Sequence, residues 1–123
     1  MSYRIEIQVK TSYLEEQSTP AANHFVFAYT IAIQNTGTVP TRLLSRYWKI
    51  THGTGRVEEI RGPGVVGEHP HLKPGESYQY TSGAIIESAV GMMQGHYQME
   101  ADDGHRFKVE IPSFTLSVPR TLH

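Results

Sequence analysis

The chain has 123 residues, 38% hydrophobic and 19% charged, with no cysteine and a formal net charge of −1. That length suffices for one buried core, while an apolar share below the roughly 45–50% of average globular proteins favours a thin two-layer fold. Near-neutrality leaves no electrostatic footprint for nucleic acid, and the absent cysteines remove disulfides, thiolate catalysis and thiolate metal sites, which suits a reducing compartment.

The N-terminus enters a patterned segment at once, with no apolar run of signal length. No stretch approaches the roughly 20 apolar residues of a membrane span, and no basic amphipathic helix suits a membrane surface. A cytoplasmic location without membrane insertion is therefore expected. Ile5, Ile7 and Val9 alternate with Arg4, Glu6, Gln8 and Lys10, the period of a strand with one face in a core. After Ser18–Asn23, the residues Phe25, Phe27, Tyr29, Ile31 and Ile33 share one face. The opposite face, Val26, Ala28, Thr30 and Ala32, is only weakly polar, which predicts a central strand. Asn35–Thr38 reads as a turn.

A third strand places Leu44, Trp48 and Ile50 on one face and Ser45, Tyr47, Lys49 and Thr51 on the other. His52-Gly53-Thr54-Gly55 then predicts a hairpin turn into Arg56–Ile60. From Arg61 to Gly75 the density of glycine and proline predicts a long irregular connection. Strands resume at Ser77–Ser82 and Gly95–Ala101, the latter closed by the turn Asp102-Asp103-Gly104. Phe107, Val109 and Ile111 alternate with Arg106, Lys108 and Glu110. Beyond Pro112, Phe114, Leu116 and Val118 continue the alternation, so Pro112, which cannot donate a ladder hydrogen bond, predicts a bulge or an edge. Helix is confined to at most one short turn within Glu87–Met93. About seven short strands with regular turns give an all-β sandwich spanning 1–123 as one domain.

Gly62-Pro63-Gly64-Val65-Val66-Gly67 matches the letters of a dinucleotide fingerprint, G-x-G-x-x-G. A dinucleotide site needs a helix to open at the last glycine. Pro70 and Pro74 forbid that helix, and no strand–helix alternation surrounds the loop. Two readings remain open. Arg61, Gly62, Gly64 and Gly67, with Arg56 nearby, would form an anion-binding nest for phosphate or pyrophosphate. Alternatively, the glycines only shape a tight loop across the end of the sandwich, with Val65 and Val66 tucked beneath.

His69 and His71, with His52 near the neighbouring turn, are candidate ligands for a borderline divalent ion. A full metal site needs at least three protein ligands, and no carboxylate or cysteine pattern completes the set. Solvated loop histidines are the competing reading. Glu58 and Glu59 point to opposite faces of a strand and cannot act as a pair. No serine sits in a nucleophile elbow, so no catalytic residues are assigned and no cofactor is expected. An outward Tyr47 flanked by Arg46 and Lys49 suits a protein-binding surface.

Taken together, Arg61–Gly67, Pro70-x-Leu72-x-Pro74-Gly75-Glu76, Tyr78-x-Tyr80-x-Ser82-Gly83 and Met93-x-Gly95-x-Tyr97-x-Met99 resemble the signature of the ApaG family. The opening strand and Trp48-Lys49-Ile50-Thr51 fit as well, so the resemblance covers essentially the whole chain. It implies an immunoglobulin- or fibronectin type III-like β-sandwich and a non-catalytic module making protein contacts. It also implies an association with cobalt resistance and magnesium efflux, without a settled biochemical activity. The expected partner is a protein of unspecified identity, with the chain itself a monomer or weak homo-oligomer.

Overall fold

The two-residue alternation becomes antiparallel strands throughout the computed structural model, which describes residues 1–119. β1 (Ile5–Tyr13), β2 (Phe25–Asn35), β3 (Thr41–His52) and β4 (Val57–Pro63) come first. They are followed by β5 (His71–Leu72), β6 (Ser77–Ile86), β7 (Val90–Ala101) and β8 (Arg106–Ser117). One sheet has three strands in the order β1-β2-β6. The other has five, in the order β4-β3-β7-β8 with β5 also paired to β3. The two antiparallel sheets make the β-sandwich that the alternation predicts.

β2 is central, paired with β1 on one side and β6 on the other. Phe27, Ile31 and Ile33 from β2 are buried in one core cluster with Leu43, Trp48, Tyr97, Met99 and Leu116. The Tyr80 and Tyr97 hydroxyls hydrogen-bond to each other inside this core and so satisfy two polar groups that burial would otherwise penalise. Asn35 shapes the turn after β2. Its buried Nδ2 donates to the carbonyls of Val39 and Leu72, and its Oδ1 accepts from the Gly37 amide.

The pairing of β3 with β7 shifts between Leu43 and Ser45. This bulge switches the strand's inward parity, so Leu43 rather than Leu44 is buried, together with Trp48 and Ile50. A second shift, between Met93 and Gly95, lies opposite Pro112 on the edge strand β8. Pro112 therefore occupies both an edge and a bulge, and the inward residues change from Ile111 to Leu116 across it.

Two expectations are corrected. β4 continues through Pro63, because Gly62 pairs with Arg46 and Pro63 with Ser45, and a proline is tolerated on an edge strand. The irregular connection is thus shorter than Arg61–Gly75 and contains the two-residue β5. Glu87–Met93 holds no helical turn: Ser88 Oγ accepts from the Gly53 amide and donates to the Val90 carbonyl, and β7 starts at Val90. Short 3-10 turns occur instead at Glu15–Gln17 and Pro20–Ala22. No helix among the described residues is long and apolar enough to cross a membrane.

Candidate functional site

Beyond β4 the chain turns back tightly. Val65 and Glu68 exchange backbone hydrogen bonds of 2.9 and 2.8 Å. The residues between them have positive φ, +43° at Val66 and +79° at Gly67. Two such central residues make a type I′ hairpin turn. Val65 is fully buried and anchors the turn, whereas Val66 is 54% exposed at its tip. Of the two valines expected beneath the loop, only Val65 is there.

β3 clasps this loop. The Gly64 amide donates to the Leu44 carbonyl at 2.9 Å. Arg46 Nη1 donates to the carbonyls of Pro63 and Gly64 at 2.9 and 3.0 Å. The guanidinium fills the space a side chain at 62 would need, since a Cβ there would sit 2.8 Å from Nη2. A Cβ at Gly64 would meet the Glu68 carbonyl oxygen at 2.2 Å. The amides of Gly64, Val65 and Glu68 are thereby used inside the protein, and the loop turns carbonyls toward its nearest cation. Arg46 neighbours Tyr47 in sequence but does not share its face. Its even-numbered position instead puts it with Trp48 and Ile50, and its charge is close enough to lower the pKa of Tyr29, Tyr80 and Tyr97 against the stronger upward push of burial.

Arg61 belongs to a different surface. It lies directly across from Tyr47 in the β3–β4 register, its guanidinium carbon 4.4 Å from the Tyr47 ring centroid. His96, opposite Tyr47 on β7, packs 4.9 Å from the same ring. Tyr47 Oη donates to Glu59 Oε1 at 2.7 Å, and this hydrogen bond raises the phenol pKa. Tyr47 is thus held on three sides at the centre of the outward face of the five-stranded sheet. Cation–π contacts of this kind contribute about 0.5–1 kcal/mol at exposed sites and fix the geometry of both groups. Farther along the same face, Val57, Thr51 and Met92 form a cross-strand row. Val57 is 49% and Met92 44% exposed, beside a shallow groove of about 210 Å³ that Val90 and Thr115 also line.

The histidines have separate partners. His69 Nδ1 donates to the Leu43 carbonyl at 3.1 Å, and His71 Nε2 to Asp102 at 2.8 Å. His52 is buried; its Nδ1 accepts the Glu87 amide at 3.0 Å, so its Nε2 carries the proton donated to Glu58 at 2.6 Å. That hydrogen bond, aided by the charge of Arg56, lowers the Glu58 pKa. Arg56 also bridges Glu58 and Glu87, both at 2.9 Å, tying the β3–β4 and β6–β7 hairpins together. Among the described residues, no group of three or more His, Cys, Asp or Glu gathers as a metal site. Asp103 accepts from the Tyr3 hydroxyl and the His105 amide, which lowers its pKa. Glu58 and Glu59 do lie on opposite faces, one with His52 and the other with Tyr47.

The chain matches known proteins over nearly its whole length. The family model described as ApaG domain matches residues 15–101. The ApaG protein of Azoarcus sp. is 60% identical over 122 residues, covering 99% of this chain and 96% of the relative. That of Nitrosomonas eutropha is 60% identical over 121 residues, covering 98% and 95%. Among solved structures, a Bordetella pertussis protein described as ApaA superposes with a TM-score of 0.94 at 45% identity, over 97% of both chains. A protein from Archaeoglobus fulgidus, 12% identical at a TM-score of 0.52 over 94% of this chain and all of that one, shares the fold alone.

Proposed function

We propose, from the premise that this chain belongs to the ApaG domain family, that it is a non-catalytic module that docks a protein partner on the outward face of its five-stranded sheet. The observation that carries this reading is Tyr47, gripped by Arg61 at 4.4 Å, His96 at 4.9 Å and Glu59 at 2.7 Å. Tyrosine and arginine are the side chains that protein interfaces concentrate, and pre-ordering them reduces the entropy lost on binding. The cross-strand row of Val57, Thr51 and Met92, with the exposed apolar side chains of Val57 and Met92 at its ends, extends the same face. On this reading the whole chain acts as one cytoplasmic module. The family's association with cobalt resistance and magnesium efflux is then exercised through the partner rather than through a metal held on His69 and His71.

Affinity capture from an ApaG-bearing bacterium tests it. The wild-type chain retains a specific partner, and Tyr47→Ser or Arg61→Glu loses it while remaining folded. Equal capture by both variants overturns the reading. The loop of Arg61, Gly62, Gly64 and Gly67 supplies the counter-test: ATP shifting its amides in a labelled sample, with no partner captured, would favour phosphate binding instead.

A further inference from the structure

β4 is an edge strand, and the direction of its hydrogen bonds follows from its ends. The His52 amide donates to the Arg56 carbonyl and the Gly64 amide to the Leu44 carbonyl, both in the register that pairs Trp48 with Ile60. Hydrogen-bonded pairs alternate in an antiparallel ladder, so Glu58, Ile60 and Gly62 bond inward to β3. Val57, Glu59 and Arg61 direct their amides and carbonyls away from it. None of these has a partner among the described residues. Ile60, although on the core-facing side, is 40% exposed, because the three-stranded sheet does not reach over this edge. Such an edge is a template for another strand.

We propose that the occupant is a second copy of this chain, with β4 pairing antiparallel to itself about a twofold axis at Ile60. The choice of partner and register rests on charge. Symmetric registers centred on residues 57 to 62 bring outward-bonding residues of two β4 strands together. Centred on Val57, only one such pair lies within the strand, and centred on Gly62 the only such pairing is with Pro63, which has no amide to donate. Centred on Glu58, Glu59 or Arg61, each sets a charged side chain directly against its own copy, which destabilises a cross-strand pair. Centred on Ile60, Glu59 faces Arg61 of the second copy and Arg61 faces its Glu59, while the two Ile60 side chains meet on the inner face. Hydrogen-bonded pairs then form between residues 59 and 61, and Pro63, lacking an amide, ends the ladder. The two five-stranded sheets become continuous. An interface of one strand per copy lies well below the roughly 1,600 Å² of a standard complex, so the association is weak and concentration-dependent.

The pairing uses the backbone edge of β4, although Glu59 and Arg61 also flank Tyr47. Tyr47→Ser therefore separates the two proposals, losing the partner protein while keeping self-association. Sedimentation of the full chain from micromolar to millimolar concentration, with amide spectra of the same samples, decides it. The average mass rises towards two copies, and the amides of Glu59 and Arg61 shift with concentration. Glu59→Arg alone and Arg61→Glu alone each weaken self-association by about tenfold or more. An equimolar mixture of the two variants associates again, because arginine at 59 of one copy then faces glutamate at 61 of the other. A chain that stays monomeric, concentration-dependent shifts that spare β4, or association that survives in either single variant overturns the proposal.

Discussion

Val66 holds a β-branched side chain in the left-handed region, φ +43°, at a tip where little packing compensates. That conformation costs roughly 1–2 kcal/mol for ordinary L-residues, and asparagine relieves much of it in a type I′ turn. Val66→Asn therefore stabilises the chain by about 1 kcal/mol, read as a higher urea midpoint with unchanged slope; a lower midpoint contradicts the turn assignment. Glu58 offers a pH test. Its folded pKa lies below the ordinary 4.5, chiefly through the hydrogen bond from His52. A depressed carboxylate pKa adds stability that is present above the unfolded value and lost as pH falls through the folded one. The stability gap between wild type and Glu58→Gln is accordingly full only well above pH 4.5 and closes on acidification. A gap independent of pH in urea titrations would refute the pairing. Both residues were visible in the sequence, but only as members of a glycine-rich motif and of an acidic pair. Their conformations depend on turn type and on a partner brought from another part of the chain.

At the scale of elements, periodicity revealed nearly every strand, because alternation is the direct imprint of one buried face. The bulges were less visible. Nothing in the composition of Leu43–Ser45 marks a shift in pairing, so Leu44 was assigned inward in place of Leu43. Pro112 did mark the other bulge, since the missing amide is legible in the residue itself. Gly95 sits at that second shift, where a Cβ would lie 2.0 Å from the Tyr47 carbonyl oxygen. Gly95→Ala must push β7 away from β3, at a cost of about 1–3 kcal/mol. Thermal unfolding measures this, and an unchanged midpoint would mean that the two strands do not approach so closely.

For the molecule as a whole, the sandwich follows from strand count and the absence of helical spacing, and the family follows from motifs spread along the chain. The proposed contact face was only partly legible. Tyr47 could be placed outward by parity, yet Arg61 was grouped with the glycine loop because the two are contiguous in sequence. The β3–β4 register moves Arg61 onto Tyr47 instead, and His96 arrives from β7. Cross-strand neighbours of this kind are fixed by register, which no single strand encodes. On the proposed reading, the clasped loop is scaffold and the aromatic, charged sheet face is the contact surface. The most direct measurement is site-specific photo-crosslinking inside an ApaG-bearing bacterium, with the reactive side chain placed at Lys49 on this face or at Thr30 in the three-stranded sheet. The account predicts a discrete protein adduct from position 49 and none from position 30; adducts from both alike, or from position 30 alone, would contradict it.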